Sequence, residues 1–445
     1  MKILQQIHFT PILVVAAGVA LGVVVHEFSG AGESVGEPKP GETPSPEVVP
    51  SAGDHEASTT EKGTPPESEN DRAEFRNIQQ NDTAANEETT DPKWNLDDVN
   101  VAPATGPDGN SVTPPAAEGN GSEKLPTVAI REQSARYLQT RAPLTFREIW
   151  GYVYGGEEKY WTESLPITDL CLFNYQVDDT GRLVGKVNPH FLRRVRARGV
   201  RTHLVVAAAS KKALFHFLFS PDYPHRRRFQ KSLVDLAGKH PIDGFQLDFE
   251  GLRKEDYKNF VGFLRELKSA LPARLVFSLA LPARTKSAPH FHYRDFAELA
   301  DRLFIMGYDF HWGGGDPGAV APRKWLDQVL QHALTEIPRE RLVFGLPFYG
   351  RVWQEQKIAR ATKFSDLETV IGAEGVRDLK YRYDLDTSHR ATFTRQVSGE
   401  VWFDDAATLY SKLASARALG ARSIGFWRLG QEDPEVWSTL RTNAR

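Results

Sequence analysis

The sequence predicts an α/β protein whose folded part is a (β/α)8 TIM barrel, with a small α+β insertion between the seventh and eighth strands and a disordered linker in front. Three observations carry this expectation. From about residue 146, eight short apolar runs alternate with stretches of helical period, the signature of repeated β–α units. One of these runs ends in carboxylates, Asp248 and Glu250, at the end of the strand where barrels of this kind keep their chemistry. Residues 29–125, by contrast, are rich in Pro, Glu, Ser, Thr, Gly and Asn, with Phe75 and Trp94 their only aromatics. Such a composition cannot bury enough apolar surface to offset chain entropy.

The 445 residues could hold two or three average domains, but the N-terminal quarter reads differently from the rest. Lys2 is followed by an apolar run from Phe9 to Val25 and then by His26 and Glu27, so residues 1–28 are expected to be a signal peptide or a signal anchor. About 17 apolar residues is borderline for spanning a bilayer, and Ser29-Gly30-Ala31 offers small residues for cleavage. Either way the remainder is expected outside the cytoplasm, secreted or held at a membrane. The net charge of -3 hides a division: residues 29–125 carry 20 acidic and 6 basic side chains, whereas 126–445 carry 48 basic and 37 acidic. The basic residues are scattered over helices and match no nucleic-acid motif, so nucleic acid is not the expected partner. The single cysteine, Cys171, excludes an intrachain disulfide and a cysteine zinc site, and is expected to be a buried core thiol.

The expected barrel strands are 149–154, 170–174, 202–207, 244–249, 275–281, 303–308, 342–347 and 423–427, with helical stretches such as 254–271 and 406–419 between most of them. An open doubly wound sheet is the alternative. It would ordinarily need a glycine-rich phosphate loop after the first strand, and Tyr154-Gly155-Gly156-Glu157 is not one. Residues 352–405 are too long for a simple connection and form the expected insertion.

Within 243–250, strand alternation puts Gln246, Asp248 and Glu250 on one face and Phe245, Leu247 and Phe249 on the other. In a barrel the first set looks inward. Two carboxylates on an inward face are costly unless they are paired or used. The plain alternative is a pair of satisfied polar groups, or a cap for the next helix.

Asp243-x-x-Gln246-x-Asp248-x-Glu250 resembles the acidic signature of the family 18 glycoside hydrolases, the chitinase-type enzymes, on their fourth barrel strand. Met306-Gly307-Tyr308-Asp309 is similar to the family's strand-six motif, and Gly345-Leu346-Pro347-Phe348-Tyr349-Gly350-Arg351 to its strand-seven motif. Trp427 sits where the family places the tryptophan beneath the bound sugar. Together these cover roughly residues 146–440. The resemblance implies retaining, substrate-assisted hydrolysis of polymers of β-linked N-acetylglucosamine, an exception to the two-carboxylate scheme. The 2-acetamido oxygen attacks the anomeric carbon, Glu250 serves as acid and then as base, Asp248 holds the acetamido N–H, and Tyr308 binds the acetamido oxygen. Gln246, Met306, Asp309, Trp427, Tyr349 and Arg351 are the implied substrate-binding residues, with Asp243 as support for the motif. No metal or other cofactor is implied, and a monomer is expected. Gln246 departs from the family, which usually has a third aspartate there. An amide can hydrogen-bond Asp248 but takes up no charge. Some cell-wall and spore-cortex members carry an amide too, which points toward peptidoglycan rather than chitin.

Other features have plainer readings. The run His225-Arg226-Arg227-Arg228 is expected to be a solvated face, His290 and His292 lack ligand spacing, and Gly313-Gly314-Gly315 is expected to be a rim loop. Two rival functions remain at this stage: a catalytically silent sugar-binding protein on the same barrel, and a scaffold whose function lies in the tether.

Overall fold

The computed structural model describes residues 117–120, 126–209, 211–288, 290–355 and 359–443. The expected signal or anchor, and nearly all of the expected linker, lie outside the described residues. No helix among the described residues is long and apolar enough to cross a membrane.

Eight parallel strands form the barrel: β1 (Glu148–Tyr154), β2 (Asp169–Val177), β3 (Arg201–Ala209), β4 (Gly244–Glu250), β5 (Val276–Pro282), β6 (Arg302–Met306), β7 (Leu342–Pro347) and β8 (Ser423–Trp427). They pair in sequence order and close through β1, which bonds both β2 and β8. One helical layer departs from the expectation, because a single 3-10 turn, Glu158–Tyr160, is the only helical element described between β1 and β2. The helix Pro126–Leu138, ahead of β1, packs instead against the helix Ala406–Leu419. That last helix begins where Asp405 accepts from Thr408 N at 2.8 Å and ends at Gly420, which adopts φ 108°. These are a side-chain N-cap and a left-handed C-cap. The stretch expected to be one helix over 254–271 is a 3-10 turn, Lys254–Asp256, followed by the helix Tyr257–Ala270, whose Phe260, Phe263, Leu264 and Leu267 are buried at helical spacing.

The expected insertion lies between β7 and β8. It is a six-stranded antiparallel sheet in the order 117–120, 377–383, 389–394, 398–403, 350–354, 360–362, with the short helix Leu367–Ile371. Its outermost strand, Ala117–Asn120, comes from the stretch expected to be unstructured and pairs antiparallel with Arg377–Tyr383. Val352, Phe364, Leu367, Ala391, Phe393, Val401 and Phe403 give the insertion a core of its own, separate from the barrel's.

Strand alternation divides the barrel core in two. Leu170, Leu172, Phe245 and Leu247 lie in the layer under the helices. Trp150, Tyr152, Cys171, Phe173, Val205, Phe304 and Val343 fill the interior. Cys171 is a buried thiol, as expected, and faces the interior. Phe304 takes its place because its neighbours are glycines: a Cβ on Gly345 would lie 2.4 Å from its ring, and one on Gly425 2.5 Å.

At the N-terminal end of the barrel sits a buried ion cluster. Arg302 donates to Glu148 at 2.7 and 3.0 Å, Arg201 to Asp169 at 2.7 and 2.8 Å, and His203 Nε2 lies 2.8 Å from Asp169. Burial pushes both carboxyls up, but the Arg302 hydrogen bond brings Glu148 down to about 2, and the His203 and Arg201 bonds bring Asp169 to about 2. This cluster ties β1, β2, β3 and β6 together.

The run at 225–228 is not the solvated face expected. His225 and Arg226 are buried, and Arg226 donates to Glu266 at 2.8 and 3.1 Å. Only Arg227 and Arg228 are exposed, because the helix Pro224–Lys239 turns its first two basic residues inward.

Gly425→Ala should destabilise the fold by about 1–3 kcal/mol through overpacking against Phe304. Phe304→Leu should recover part of that loss in the double variant. Denaturant unfolding of the four proteins checks this, and strict additivity of the two changes would contradict it.

Candidate active site

The inward face of β4 presents Gln246, Asp248 and Glu250 in order toward the C-terminal mouth. Gln246 is fully buried. Its Oε1 accepts from Tyr152 Oη at 2.8 Å, and its Nε2 donates to Ser278 Oγ at 3.2 Å. The amide was expected to be available to Asp248. Instead, residues of β1 and β5 hold it. Asp248 is buried, and its Oδ1 has no hydrogen-bond partner. Burial pushes the Asp248 carboxyl well above its ordinary range. Glu250, half-buried at the strand end, is pushed up further, first by burial and then by the charges of Asp248 and Asp309. The two carboxyls are coupled and burial raises both, so the pair titrates as a unit above the ordinary carboxylate range.

Asp309 follows β6 in a left-handed conformation, φ 61°, which aspartate tolerates better than most residues. Its Oδ1 accepts from Tyr349 Oη at 2.6 Å and from Arg351 Nη2 and Nε at 2.5 and 3.1 Å. Its Oδ2 is buried and unpartnered. Tyr349 and Arg351, expected to touch sugar, have these polar groups on Asp309, so in this structure they orient a carboxylate. Tyr308 is buried beside them, with its ring centroid 6.2 Å from that of Tyr349. Burial, then Asp248, raises its phenol well above the usual value. Met306 is buried in the interior cluster below.

Trp427 forms the opposite wall. Its ring lies 4.8 Å from Phe173, 5.4 Å from Tyr152 and 5.7 Å from Tyr154, in tilted or edge-on contacts, so the indole is fixed by aromatic packing. Asp243 is placed elsewhere. It sits ahead of β4 at the opposite end of the strand from Glu250, accepting from Thr202 N at 2.9 Å and pairing with Arg196 at 2.9 Å. Its support is to strand pairing, remote from the acid.

Four residues escaped the sequence reading. Tyr152 and Ser278 hold Gln246. Tyr154 lies close enough to the carboxylates to feel them: burial raises its phenol to about 12, Arg428 opposes this, and Asp248 and Glu250 add to it. Arg428 is buried, lies 4.4 Å over the Tyr154 ring and pairs with Glu157. The parity rule used for β4 applies equally to Trp150, Tyr152 and Tyr154 on β1 and would have exposed the two tyrosines. Beside this mouth, Gly313, Gly314 and Gly315 line a cleft of about 750 Å³ against Trp353 and Glu400 of the insertion, which makes the glycine run a rim loop. Among the described residues no group of three or more His, Cys, Asp and Glu side chains is arranged to hold a metal.

Comparison with known proteins places this architecture. The family model described as glycosyl hydrolases family 18 matches residues 168–432. The chain is 26% identical over 293 residues to the cortical fragment-lytic enzyme of Bacillus subtilis (strain 168), covering 62% of this chain and 67% of that protein. It is 23% identical over 289 residues to the class V chitinase CHIT5 of Lotus japonicus, covering 57% and 72%. Among solved structures, the spore cortex-lytic enzyme SleL of Bacillus cereus superposes with a TM-score of 0.58 at 22% identity, over 68% of this chain and 76% of that one. A chitinase from Chromobacterium violaceum gives 0.58 at 23%, over 66% and 97%. The chain belongs to glycosyl hydrolase family 18. It is a glycoside hydrolase, related to spore cortex-lytic enzymes and to chitinases.

The raised carboxyls carry a stability consequence. A carboxyl whose folded pKa exceeds its unfolded value stabilises the fold while protonated, and that contribution is lost as pH rises from the ordinary carboxylate value toward the folded one. Glu250→Gln and Asp248→Asn should therefore raise the Tm relative to the parent at neutral and alkaline pH. The gap should close toward about pH 4. Thermal melts across pH check the sign.

Proposed function

We propose that this chain cleaves polymers of β-linked N-acetylglucosamine by the retaining, substrate-assisted route, with Glu250 as acid and then base. The observation that carries the reading is the buried Asp248–Glu250 pair at the mouth end of β4, with Glu250 held protonated by burial and by its neighbours. Glu250 gives its proton to the glycosidic oxygen as the substrate's acetamido oxygen closes on the anomeric carbon. Asp248, whose Oδ1 has no other partner, accepts the acetamido N–H and offsets the positive charge that develops on the ring. Tyr308 donates to the acetamido oxygen. Asp309, oriented by Tyr349 and Arg351, takes sugar hydroxyls on its open oxygen. Trp427 supplies an apolar floor for the ring.

Peptidoglycan glycan strands are the favoured substrate over chitin. Gln246 in place of the usual aspartate supports this, as do the cortex-lytic names among the relatives. The enzyme is proposed to act outside the cytoplasm as a monomer, through residues 1–28 serving as a signal or an anchor. The catalytically silent alternative is disfavoured because Glu250 is present and its proton is held.

Glu250→Gln should lower kcat by about 10²–10⁴-fold while sugar binding persists. Equal turnover by both proteins would reject the role of Glu250. A de-N-acetylated polymer should not be cleaved, and mass analysis of the new reducing ends from peptidoglycan and chitin oligosaccharides separates the two substrates.

Activity should fall as pH drops through the Asp248 pKa and as it rises through that of Glu250. Both are raised, so the optimum should lie on the alkaline side of an ordinary carboxylate pair. A kcat/KM profile with its acidic limb near pH 4 would contradict this.

A further inference from the structure

The sheet of the insertion has two faces of different character. Val352, Val401 and Ala391 stand opposite one another across three strands and belong to the insertion's own core. Alternation turns Arg351 and Trp353 to the other face. Arg351 reaches Asp309 from there, so this is the face turned to the catalytic mouth. Two rows of side chains cross it in register. The first runs from Arg351 through Trp402 and Arg390 to Arg382, and the second from Trp353 through Glu400 and Thr392 to Lys380. The first row is occupied by contacts within the sheet. Arg390 gives Glu400 two hydrogen bonds at 2.8 Å, Trp402 gives it a third, and Arg382 lies 5.6 Å over the Trp402 ring.

The second row floors the cleft of about 750 Å³ between the sheet and the rim loop at 313–317. Trp353 anchors the inner end of the row, its Nε1 donating to Gly315 O at 3.0 Å. Further out the cleft changes character. Asp378, Lys380 and Glu355 line it and are exposed, and among the described residues their side chains make no hydrogen bond or ion pair. Thr392, Thr394 and Ser398 add hydroxyls. Asp378 stands at the bulge where the pairing with His389–Thr394 shifts, in a left-handed conformation at φ 53°, and bulges re-aim side chains. The cleft thus offers charges of both signs above a neutral hydrogen-bonding floor, and it leads back to the strand whose Arg351 holds Asp309. An uncharged chain of N-acetylglucosamine has nothing to match those charges.

We propose that this cleft holds the short peptide that peptidoglycan carries on alternate sugars, with Lys380 taking a carboxylate of the peptide and Asp378 and Glu355 its ammonium group. The proposal rests on the peptidoglycan reading given above and names the part of that substrate which the insertion recognises. Such a stem combines free carboxylates with an amine, whereas chitin has neither. The lengths agree. Three strand spacings separate Trp353 from Lys380, about 14 Å, and an extended peptide of four residues spans about 13 Å. Arg351 and Trp353 are two residues apart, about 7 Å along the strand, so a sugar near Asp309 is placed to carry a stem into the cleft. Contacts to exposed charges are individually weak. The cleft therefore sets affinity for the strand and leaves the chemistry to Glu250.

Glycan strands bearing tetrapeptide stems, and the same strands stripped of them by an amidase, test this with the full chain. KM should be about 3–10-fold lower on stem-bearing strands at similar kcat, the scale of two exposed ion pairs. That advantage should shrink at about 0.5 M salt. The double variant Asp378→Asn, Lys380→Gln should bring the ratio of the two KM values close to one with its melting temperature unchanged, since asparagine tolerates the left-handed backbone. Lys380→Arg should keep the preference. Binding of both strands to the Glu250→Gln protein gives the same comparison without turnover. Equal KM values for the two strands in the parent, or a preference untouched by the double variant, would overturn the stem site and leave the hydrolytic reading standing. Turnover of chitin oligosaccharides, with neither strand cleaved or bound, would overturn the peptidoglycan reading and the stem site together.

Discussion

Asp248 and Glu250 lie two residues apart on one strand, and the closure of eight strands around them removes the water that would otherwise let both ionise. Alternation along β4 sends both inward, and burial makes the charged form of each costly. With Tyr152 and Ser278 holding the Gln246 amide, Oδ1 of Asp248 is left without a partner. The proton on Glu250, the orientation of Asp309 by Tyr349 and Arg351, and the aromatic wall around Trp427 all take their meaning from that pair. An open sheet carrying the same residues would let solvent reach both carboxyls, and the shift in proton affinity would collapse.

The two ends of the barrel treat charge in opposite ways. At the N-terminal end Glu148 and Asp169 are held at about 2 by arginines and His203, so they favour the fold when ionised and lose that contribution in acid. At the mouth Asp248 and Glu250 favour the fold when protonated. The enzyme thus carries a floor tuned for stability and a mouth tuned for reactivity, each set by how many cationic donors reach the buried carboxyl.

Most of the architecture could be read from periodicity. Eight apolar runs in order became eight strands, and the face shared by Gln246, Asp248 and Glu250 followed from alternation. What escaped was long-range. Nothing local in the sequence says that Tyr152 and Ser278, distant in the chain, meet Gln246, or that Tyr349 and Arg351 both turn to Asp309. The inward turn of His225 and Arg226 depends on Glu266 from another helix, so a basic tetrapeptide read by itself looked solvated. The missing helix after β1 and the strand at 117–120 were missed for the same reason, because both depend on partners supplied from elsewhere in the chain.

That four-residue strand also determines how load would enter the molecule. Ala117 lies opposite Tyr383 and Asn120 opposite Lys380 at the border of the insertion sheet. Tension drawn along the preceding backbone meets this short ladder before it reaches any barrel strand. The ladder has few bonds and no covalent bracing, since the chain's single cysteine is buried inside the barrel. Loss of this ladder would leave the pairing of the eight-strand ring, and the carboxylates within it, as they are.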